Sequence, residues 1–385
     1  MIGGKMSKNT ANVLYFMDGI GNAGGIQEMA VKWMENTDWE KVHIDILSYD
    51  TGKKDNYSER VGQYGCKVYI IPTYVRKGQF FESIKATKAF FKQHQGEYDV
   101  LHAHASAKAL FVLWYAKRYG IKTRILHSHC SRVISENKVQ RLAAALFKDP
   151  ANRLTTDEFA CSPEAGAYLF GEEEVNKGNV RIVHNGIDTD KFRPDAKLRD
   201  VVRNELNVAD KFVIGNVGRF RYPKNHDYLI DIFAEVYKKD PNAVLVCVGT
   251  GELEDKIKEK CKMLQIDDRV KFLGFRSDVN RIMQAFDLLV MPSHFEGLPV
   301  TGVEAQAIGV PVLFATTITR DAAILPQSAY LNLSDSPEVW AEKILEYKNM
   351  QRENDPHKWI EQKGYDIKKE TKKLDDFYLE KSNLM

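Results

Sequence analysis

The feature that most constrains this chain is a rhythm along nearly all of it: short apolar runs separated by longer amphipathic stretches. Strands of a parallel sheet are buried on both faces and read as near-continuous apolar runs, and each crossover between them has room for a helix. The pattern predicts an α/β chain of parallel sheets covered by helices. Candidate strands in the first half are Asn12–Met17, His43–Ser48, Lys67–Ile71, Val100–Ala103, Thr123–His127, Glu158–Cys161 and Val180–Val183. In the second half they are Phe212–Val217, Ala243–Val248, Val270–Phe272, Leu288–Met291 and Val312–Phe314. Helical periodicity fills most of the gaps, as in Phe80–His94, His226–Lys238, Leu253–Leu264 and Pro337–Met350.

A chain of 385 residues exceeds one ordinary core, so two domains are expected. The run HNGIDTDKFRPDAKL, ending at Leu198, is rich in Gly, Asp, Asn and Pro, and marks the junction between two doubly wound domains, 1–187 and 188–365. Two such domains facing each other would leave a cleft at the carboxyl ends of their strands, where ligands bind in this class. The charged segment Tyr365–Glu380 carries Ile367, Leu374, Phe377 and Tyr378 on one helical stripe, and 366–385 is expected to pack back on the first domain.

Composition removes several classes. A hydrophobic fraction of 44% with 28% charged residues is that of a soluble globular protein, and a net charge of +2 gives no global case for nucleic acid. Cys66, Cys130, Cys161, Cys247 and Cys261 are scattered and odd in number, which argues against a disulfide framework or zinc site and fits a reducing cytosol. The apolar run near the N-terminus breaks at Asp18 and Gly19, so it reads as a buried strand and not a signal peptide. No uninterrupted apolar stretch is long enough to span a bilayer.

The strongest local pattern lies within Phe295 to Pro311, where Glu296 and Glu304 flank a predicted helix start after the strand LLVMPS. A helix N-terminus just after a strand end is an anion site, and Pro299 near the first turn suits it because the missing N–H would be unpaired anyway. Two glutamates alone would more often be solvated helix residues. Here their neighbours are apolar or Gly, and buried charges need partners. GRFRYPKN follows the strand VIGNV and places Arg219 and Lys224 at a strand end; Arg can hold phosphate bidentately and Lys supplies a point charge. In isolation that segment reads as a solvated basic loop.

DGIGNAGGIQE, from Asp18 to Glu28, is a Gly-rich turn after the first strand that permits close backbone approach to a ligand. It lacks both the G-x-G-x-x-G spacing and the lysine of a P-loop. His102 and His104, then His127 and His129, form two H-x-H pairs at strand ends. No acidic or Cys ligand stands near at a metal-like spacing, so structural hydrogen bonding with at least one cleft-facing His is the reading. The helix Gln79–His94 joins Lys85, Lys88 and Lys92 to Phe80, Phe81, Phe90 and Phe91. Contact with an anionic membrane surface and plain packing on the sheet are equally weighted readings.

In this order the segments resemble the retaining glycosyltransferases of family 4, which have the GT-B fold of two Rossmann-like domains. The resemblance runs through GGIQ, DVLHAHAS, ILHSH, FACSPEAGAYLFG, VHNGIDTDKF, GRFRYPKN, VGTGELE, FLGFRSDV and the Glu-x7-Glu element of FEGLP…VEA. HSHCS and CSPEAGAYLFG look most like transferases of bacterial exopolysaccharide or capsule synthesis. The resemblance implies a nucleotide-diphosphate sugar donor, a UDP-sugar by preference, in the second domain and a saccharide acceptor, lipid-linked, in the first. It implies that Arg219 and Lys224 hold the diphosphate, Glu304 the ribose and Glu296 the sugar hydroxyls, with backbone amides at Gly297 and Leu298 close by. Gly24 and Gly25 would close on the diphosphate, the base would lie on the turn Gly274–Phe275–Arg276, and His129 would be the cleft histidine, with His127 and His104 as further cleft residues. It further implies retention of configuration by front-face attack and a cytoplasmic enzyme, peripheral at the inner membrane face.

No cofactor is expected. No Asp-x-Asp element stands at a strand end, and Arg219, Lys224 and a helix N-terminus can supply the charge usually given to Mg²⁺. Competing readings are a sugar-nucleotide epimerase on the same fold and a non-catalytic nucleotide-sugar-binding subunit. A starch- or glycogen-type synthase is disfavoured because the N-terminal loop is GGIQ and bears no lysine.

Overall fold

The computed structural model describes residues 10–20, 25–50, 52, 57–73, 78–104, 106–129, 138–296 and 298–383, with backbone alone at 106–107 and 138–145. The chain forms two compact units, one of residues 1–186 and 367–385 and one of residues 187–366.

Unit 1 holds a parallel sheet of seven strands: β1 (Ala11–Met17), β2 (Val42–Tyr49), β3 (Val68–Ile71), β4 (Val100–Ala103), β5 (Thr123–Ser128), β6 (Asp157–Ala160) and β7 (Val180–Ile182). Their spatial order is β3-β2-β1-β4-β5-β6-β7, so the chain reverses its direction of winding between β1 and β4. Alternation along β1 feeds two cores. Val13, Tyr15 and Met17 pack with Trp33 of the helix Gly25–Asn36 and with Leu374, Phe377 and Tyr378 of the helix Ile367–Lys381. Leu14 and Phe16 pack on the opposite face with Phe90 and Phe91 of the helix Phe80–Gln93 and with Val112 and Leu113 of the helix Leu110–Arg118. The C-terminal helix is thus a layer of unit 1.

Unit 2 repeats the plan with β8 (Phe212–Val217), β9 (Ala243–Val248), β10 (Val270–Phe272), β11 (Leu288–Met291), β12 (Val312–Ala315) and β13 (Ala329–Leu331), in the order β10-β9-β8-β11-β12-β13. Its reversal lies between β8 and β11. One face buries Leu229, Ile230 and Phe233 of the helix His226–Lys239, and the other buries Val303 and Ala305 of the helix Val300–Ala307. Gly215 in β8 is required there, because a Cβ would stand 2.2 Å from the Phe286 ring. Among the described residues no helix is long and apolar enough to cross a membrane.

Candidate active site

In a doubly wound sheet, loops leaving adjacent strands on either side of the reversal splay apart and open a crevice at the carboxyl ends. In unit 2 those loops follow β8 and β11, and they carry Arg219, Lys224 and Glu296. The β8 loop is held against the turn after β9: Phe220 N donates to Thr250 O at 3.1 Å and Leu253 N to Phe220 O at 3.1 Å. Two glycines make that approach sterically feasible. A Cβ on Gly249, whose φ is +138°, would lie 2.0 Å from Gly218 O, and one on Gly251 would lie 2.5 Å from Phe220 O. Both stand in VGTGELE, a segment that the sequence reading quoted without giving it a role.

Arg219 stands exposed at the turn. Tyr222–Lys224 form a single 3-10 turn, and Asn225 adopts the left-handed conformation (φ 54°) while its Nδ2 donates to Pro292 O at 3.0 Å. His294 N donates to Pro223 O at 2.8 Å. These two bonds stitch the β8 and β11 loops together and bring Lys224 Nζ within 2.6 Å of Glu296 Oε1, across 72 residues of sequence. The same oxygen accepts from Ser293 Oγ at 2.9 Å, and Ser293 is buried. A half-buried lysine and a more deeply buried carboxylate are thus held as a matched pair at the strand ends.

Glu304 lies in the second turn of the helix Val300–Ala307, half-buried. Pro299 is the N-cap of that helix (φ −77°, ψ 91°), directly before its first residue, Val300. Its ring still costs the helix no bond, since the first-turn N–H groups have no partner within a helix. Leu298 packs on the core, and Gly297 lies outside the described residues. Gly274 (φ +64°) accepts from Gly249 N at 2.9 Å, Phe275 is 81% exposed, and Arg276 pairs with Asp278 at 2.7 Å. The triplet Asp188-Thr189-Asp190 is engaged in local structure. Asp188 Oδ1 accepts from Asp190 N and Lys191 N, Thr189 Oγ1 donates to Asp366, and Asp190 pairs with Arg193.

In unit 1, Gly25 opens the helix after β1 and is exposed, Asp18 pairs with Lys108, and Gly24 lies outside the described residues. The reversal between β1 and β4 again marks the chemically dense end. His102 in β4 and His104 one residue past it share a face with His127 in β5 and His129 one residue past it, as residues two apart on extended backbone should. His102 Nε2 and His127 Nδ1 are 3.0 Å apart, as are His104 Nδ1 and His129 Nε2. His102 Nδ1 meets Tyr378 Oη at 2.6 Å, and Tyr378 Oη meets Tyr15 Oη at 3.0 Å. Trp33 stacks on His127 at 5.4 Å between centroids. Burial holds all four imidazoles below their usual titration range, His129 down to about 3, so at neutral pH each has one donor and one acceptor nitrogen.

The first chain has a preferred polarity. If Tyr15 donates to Tyr378, Tyr378 to His102 Nδ1 and His102 Nε2 to His127 Nδ1, the one nitrogen of these two imidazoles left without a partner is His127 Nε2, as a donor. The reverse polarity strands both the Tyr15 hydroxyl proton and the His127 Nε2 lone pair. His102, His104 and His127 offer nitrogens within 4.8 Å of one another, a spacing that could hold a metal ion. In this arrangement, however, His102 and His127 engage each other and Tyr378, and the set brings no anionic ligand. Tyr378 is legible in the sequence only as an apolar-stripe residue, and neither its link to His102 nor the stacking of Trp33 on His127 is, because nothing local ties them to the histidines.

Residues 23–191 match the family described as Glycosyltransferase Family 4, and residues 199–364 the family described as Glycosyl transferases group 1. A Bacillus subtilis (strain 168) protein, "Putative glycosyltransferase EpsF", is 31% identical over 342 residues, covering 88% of each chain. The Escherichia coli UDP-Gal:alpha-D-GlcNAc-diphosphoundecaprenol alpha-1,3-galactosyltransferase is 24% identical over 371 residues, 92% of this chain and 94% of the relative. Among solved structures, Anabaena Alr3699/HepE in complex with UDP aligns with a TM-score of 0.71 at 19% identity over 97% of both chains. WaaG, a glycosyltransferase involved in lipopolysaccharide biosynthesis, aligns at 0.62 with 16% identity over 95% of this chain and 99% of its own. Two doubly wound parallel-sheet units and these matches place the chain among the family 4 glycosyltransferases, and its fold is GT-B.

Proposed function

We propose that this glycosyltransferase binds a nucleotide-diphosphate sugar, a UDP-sugar, at the β8–β11 crevice of unit 2. From there it transfers a hexose or N-acetylhexosamine, with retention of configuration, to a saccharide acceptor. The observation that carries this reading is the Lys224–Glu296 pair at the topological reversal, 2.6 Å apart beside a helix N-terminus. Cleaving the anomeric C–O bond leaves negative charge on the departing diphosphate and positive charge on the sugar. Arg219 and Lys224 meet the first, together with the first-turn amides near Leu298, and are prearranged so that little reorganisation is needed. Glu296 takes hydroxyls of the donor sugar and Glu304 the ribose, while the base lies on Gly274–Phe275–Arg276. In this reading the cations do the work of a divalent metal, and Gly24–Gly25 and His129 belong to unit 1's share of the reaction.

The acceptor is proposed to be lipid-linked and the pathway exopolysaccharide or capsule assembly, with the enzyme peripheral at the inner face of the cell membrane. Supporting this, the E. coli relative is named for a diphosphoundecaprenol-linked acceptor and a UDP-Gal donor, and Anabaena HepE was crystallised with UDP-glucose. A thermal-shift panel of nucleotide-diphosphate sugars, with and without chelator, tests the donor site. The true donor at a hundredfold excess over its Kd adds about 2.7 kcal/mol to stability, unchanged by chelator. No stabilisation by any nucleotide-diphosphate sugar would overturn the reading. Incubation with donor alone separates transfer from epimerisation, since only transfer needs an acceptor.

A further inference from the structure

The phenylalanines of the helix Phe80–Gln93 divide into two sets. Ser83, Thr87, Phe90 and Phe91 form the buried stripe on the sheet, whereas Phe80 is 41% exposed and Phe81 is 83% exposed. The neighbouring helix Leu110–Arg118 behaves alike: Val112, Leu113, Tyr115 and Ala116 are buried, and Trp114 is exposed. The rings of Phe81, Phe80 and the half-buried Phe111 are continuous. Phe80 meets Phe81 at 5.4 Å and Phe111 at 5.7 Å between centroids, and Trp114 lies one turn beyond Phe111. A connected aromatic surface left in water is unusual for a soluble domain and marks a binding face.

Charge says what that face meets. On the same two helices Lys85, Lys88, Lys92, Lys117 and Arg118 are exposed and make no ion pair among the described residues, against the lone carboxylate Glu82. Arg118 caps the Trp114 ring at 5.9 Å. The whole chain carries only +2, so this excess is local. Aromatic rings flanked by lysine are the composition of a surface that lies in the headgroup layer of an anionic bilayer. Position agrees as well. Phe80 and Phe111 start the helices that follow β3 and β4, at the carboxyl ends where His104 and His129 stand.

We infer that Phe80, Phe81, Phe111 and Trp114, ringed by Lys85, Lys88, Lys92, Lys117 and Arg118, form the face by which unit 1 docks on anionic lipid. The docking brings the histidine end of the sheet to the membrane surface. This deepens the lipid-linked acceptor reading and rests on it for its purpose, because a saccharide tethered at the headgroup layer reaches only strand ends held near that layer.

Flotation of the full chain with phosphatidylcholine vesicles, with and without phosphatidylglycerol, tests the docking. The protein should float with the anionic vesicles and be released by salt. Neutralising Lys85→Gln and Lys88→Gln together should weaken binding roughly thirtyfold, at about 1 kcal/mol per basic residue. Phe80→Ser with Phe81→Ser should abolish flotation while melting temperature and transfer to a water-soluble acceptor are kept. Flotation unchanged in both variants, or none with anionic vesicles, overturns the proposal. So does size-exclusion evidence that the Phe variant only dissolves a homodimer. If flotation behaves as stated but no lipid-linked acceptor is ever used, the acceptor reading alone falls.

Discussion

The two units share one winding plan and present opposite chemistry at the place that plan singles out. In unit 1 the strands flanking the reversal, β1 and β4, with β5 beside them, end in Tyr15, His102, His104, His127 and His129, which are uncharged at neutral pH. In unit 2 the equivalent strands, β8 and β11, end in Arg219, Lys224 and Glu296, which are charged and set in loops braced by Asn225 and Ser293. The fold supplies a crevice in both cases, and the side chains decide what each can hold. A charged end suits a diphosphate. A neutral donor-and-acceptor end suits hydroxyl groups, which must be oriented without being attracted elsewhere.

The sharpest way to break this comparison is to remove the charge from unit 2. Lys224→Ala or Glu304→Ala should lower turnover about 10²–10³-fold, the usual consequence of deleting one preorganised charge-stabilising contact. Since Lys224 and Glu304 are only half-buried, melting temperature should move by a few degrees at most. Near-normal activity in either variant would end the assignment of the donor site. A second intervention leaves every charge in place. Gly249→Ala sets a Cβ 2.0 Å from Gly218 O, against backbone that has no flexible end to yield. The loop bearing Arg219 must then shift, and a displacement of about 1 Å is enough to cost roughly 10²-fold in rate. An unaltered kcat/KM for Gly249→Ala would mean that the turn after β9 does not position Arg219.

Much of this contrast was legible in the sequence, because strands buried on both faces announce themselves as apolar runs. Leu288–Met291 and Phe212–Val217 were read with their observed bounds for that reason. β13 was not read: Ala329–Leu331 is a three-residue edge strand, half-exposed throughout, with no apolar run to reveal it. The charges of unit 2 stood out as motifs, but the Lys224–Glu296 contact follows from β8 and β11 being neighbours, and strand order is not written in local pattern. The H-x-H pairs were visible, whereas Tyr378 lies 276 residues from His102. Likewise, helical periodicity could not say that Phe90 turns inward and Phe81 outward, since that depends on where the sheet lies.

Acid should separate the units by stability. In the unfolded chain an imidazole takes up a proton near pH 6.5, while in the fold His102, His104, His127 and His129 stay neutral far below that because burial opposes charge. The unfolded state therefore binds more protons below about pH 6.5, so stability falls as pH drops through that point, by up to about 1.4 kcal/mol per pH unit for each imidazole. Unit 2 buries His226 in the same way, held to about 4. Hydrogen exchange between pH 7 and 4.5 should show peptides of β4 and β5 losing protection before those of β8 and β9. Simultaneous loss, or earlier loss in unit 2, would mean that the histidine cluster does not set unit 1's acid sensitivity.

The smallest expected effect tests the polarity of the hydrogen-bond chain. Tyr378→Phe removes the hydroxyl that links Tyr15 to His102 and leaves His102 Nδ1 buried without its donor. With that constraint gone, His102 can move its proton to Nδ1 and present a lone pair to His127, whose own proton must then shift to Nδ1. Loss of one buried hydrogen bond costs about 1–3 kcal/mol in stability. The rate should change by severalfold only, because no group proposed to hold the diphosphate is altered. Nitrogen-15 spectra report the tautomers directly: His102 Nε2 and His127 Nε2 protonated in the parent, and His102 Nδ1 and His127 Nδ1 protonated in Tyr378→Phe. Identical spectra in parent and variant would show that the C-terminal helix contributes packing to unit 1 and no control over its imidazoles.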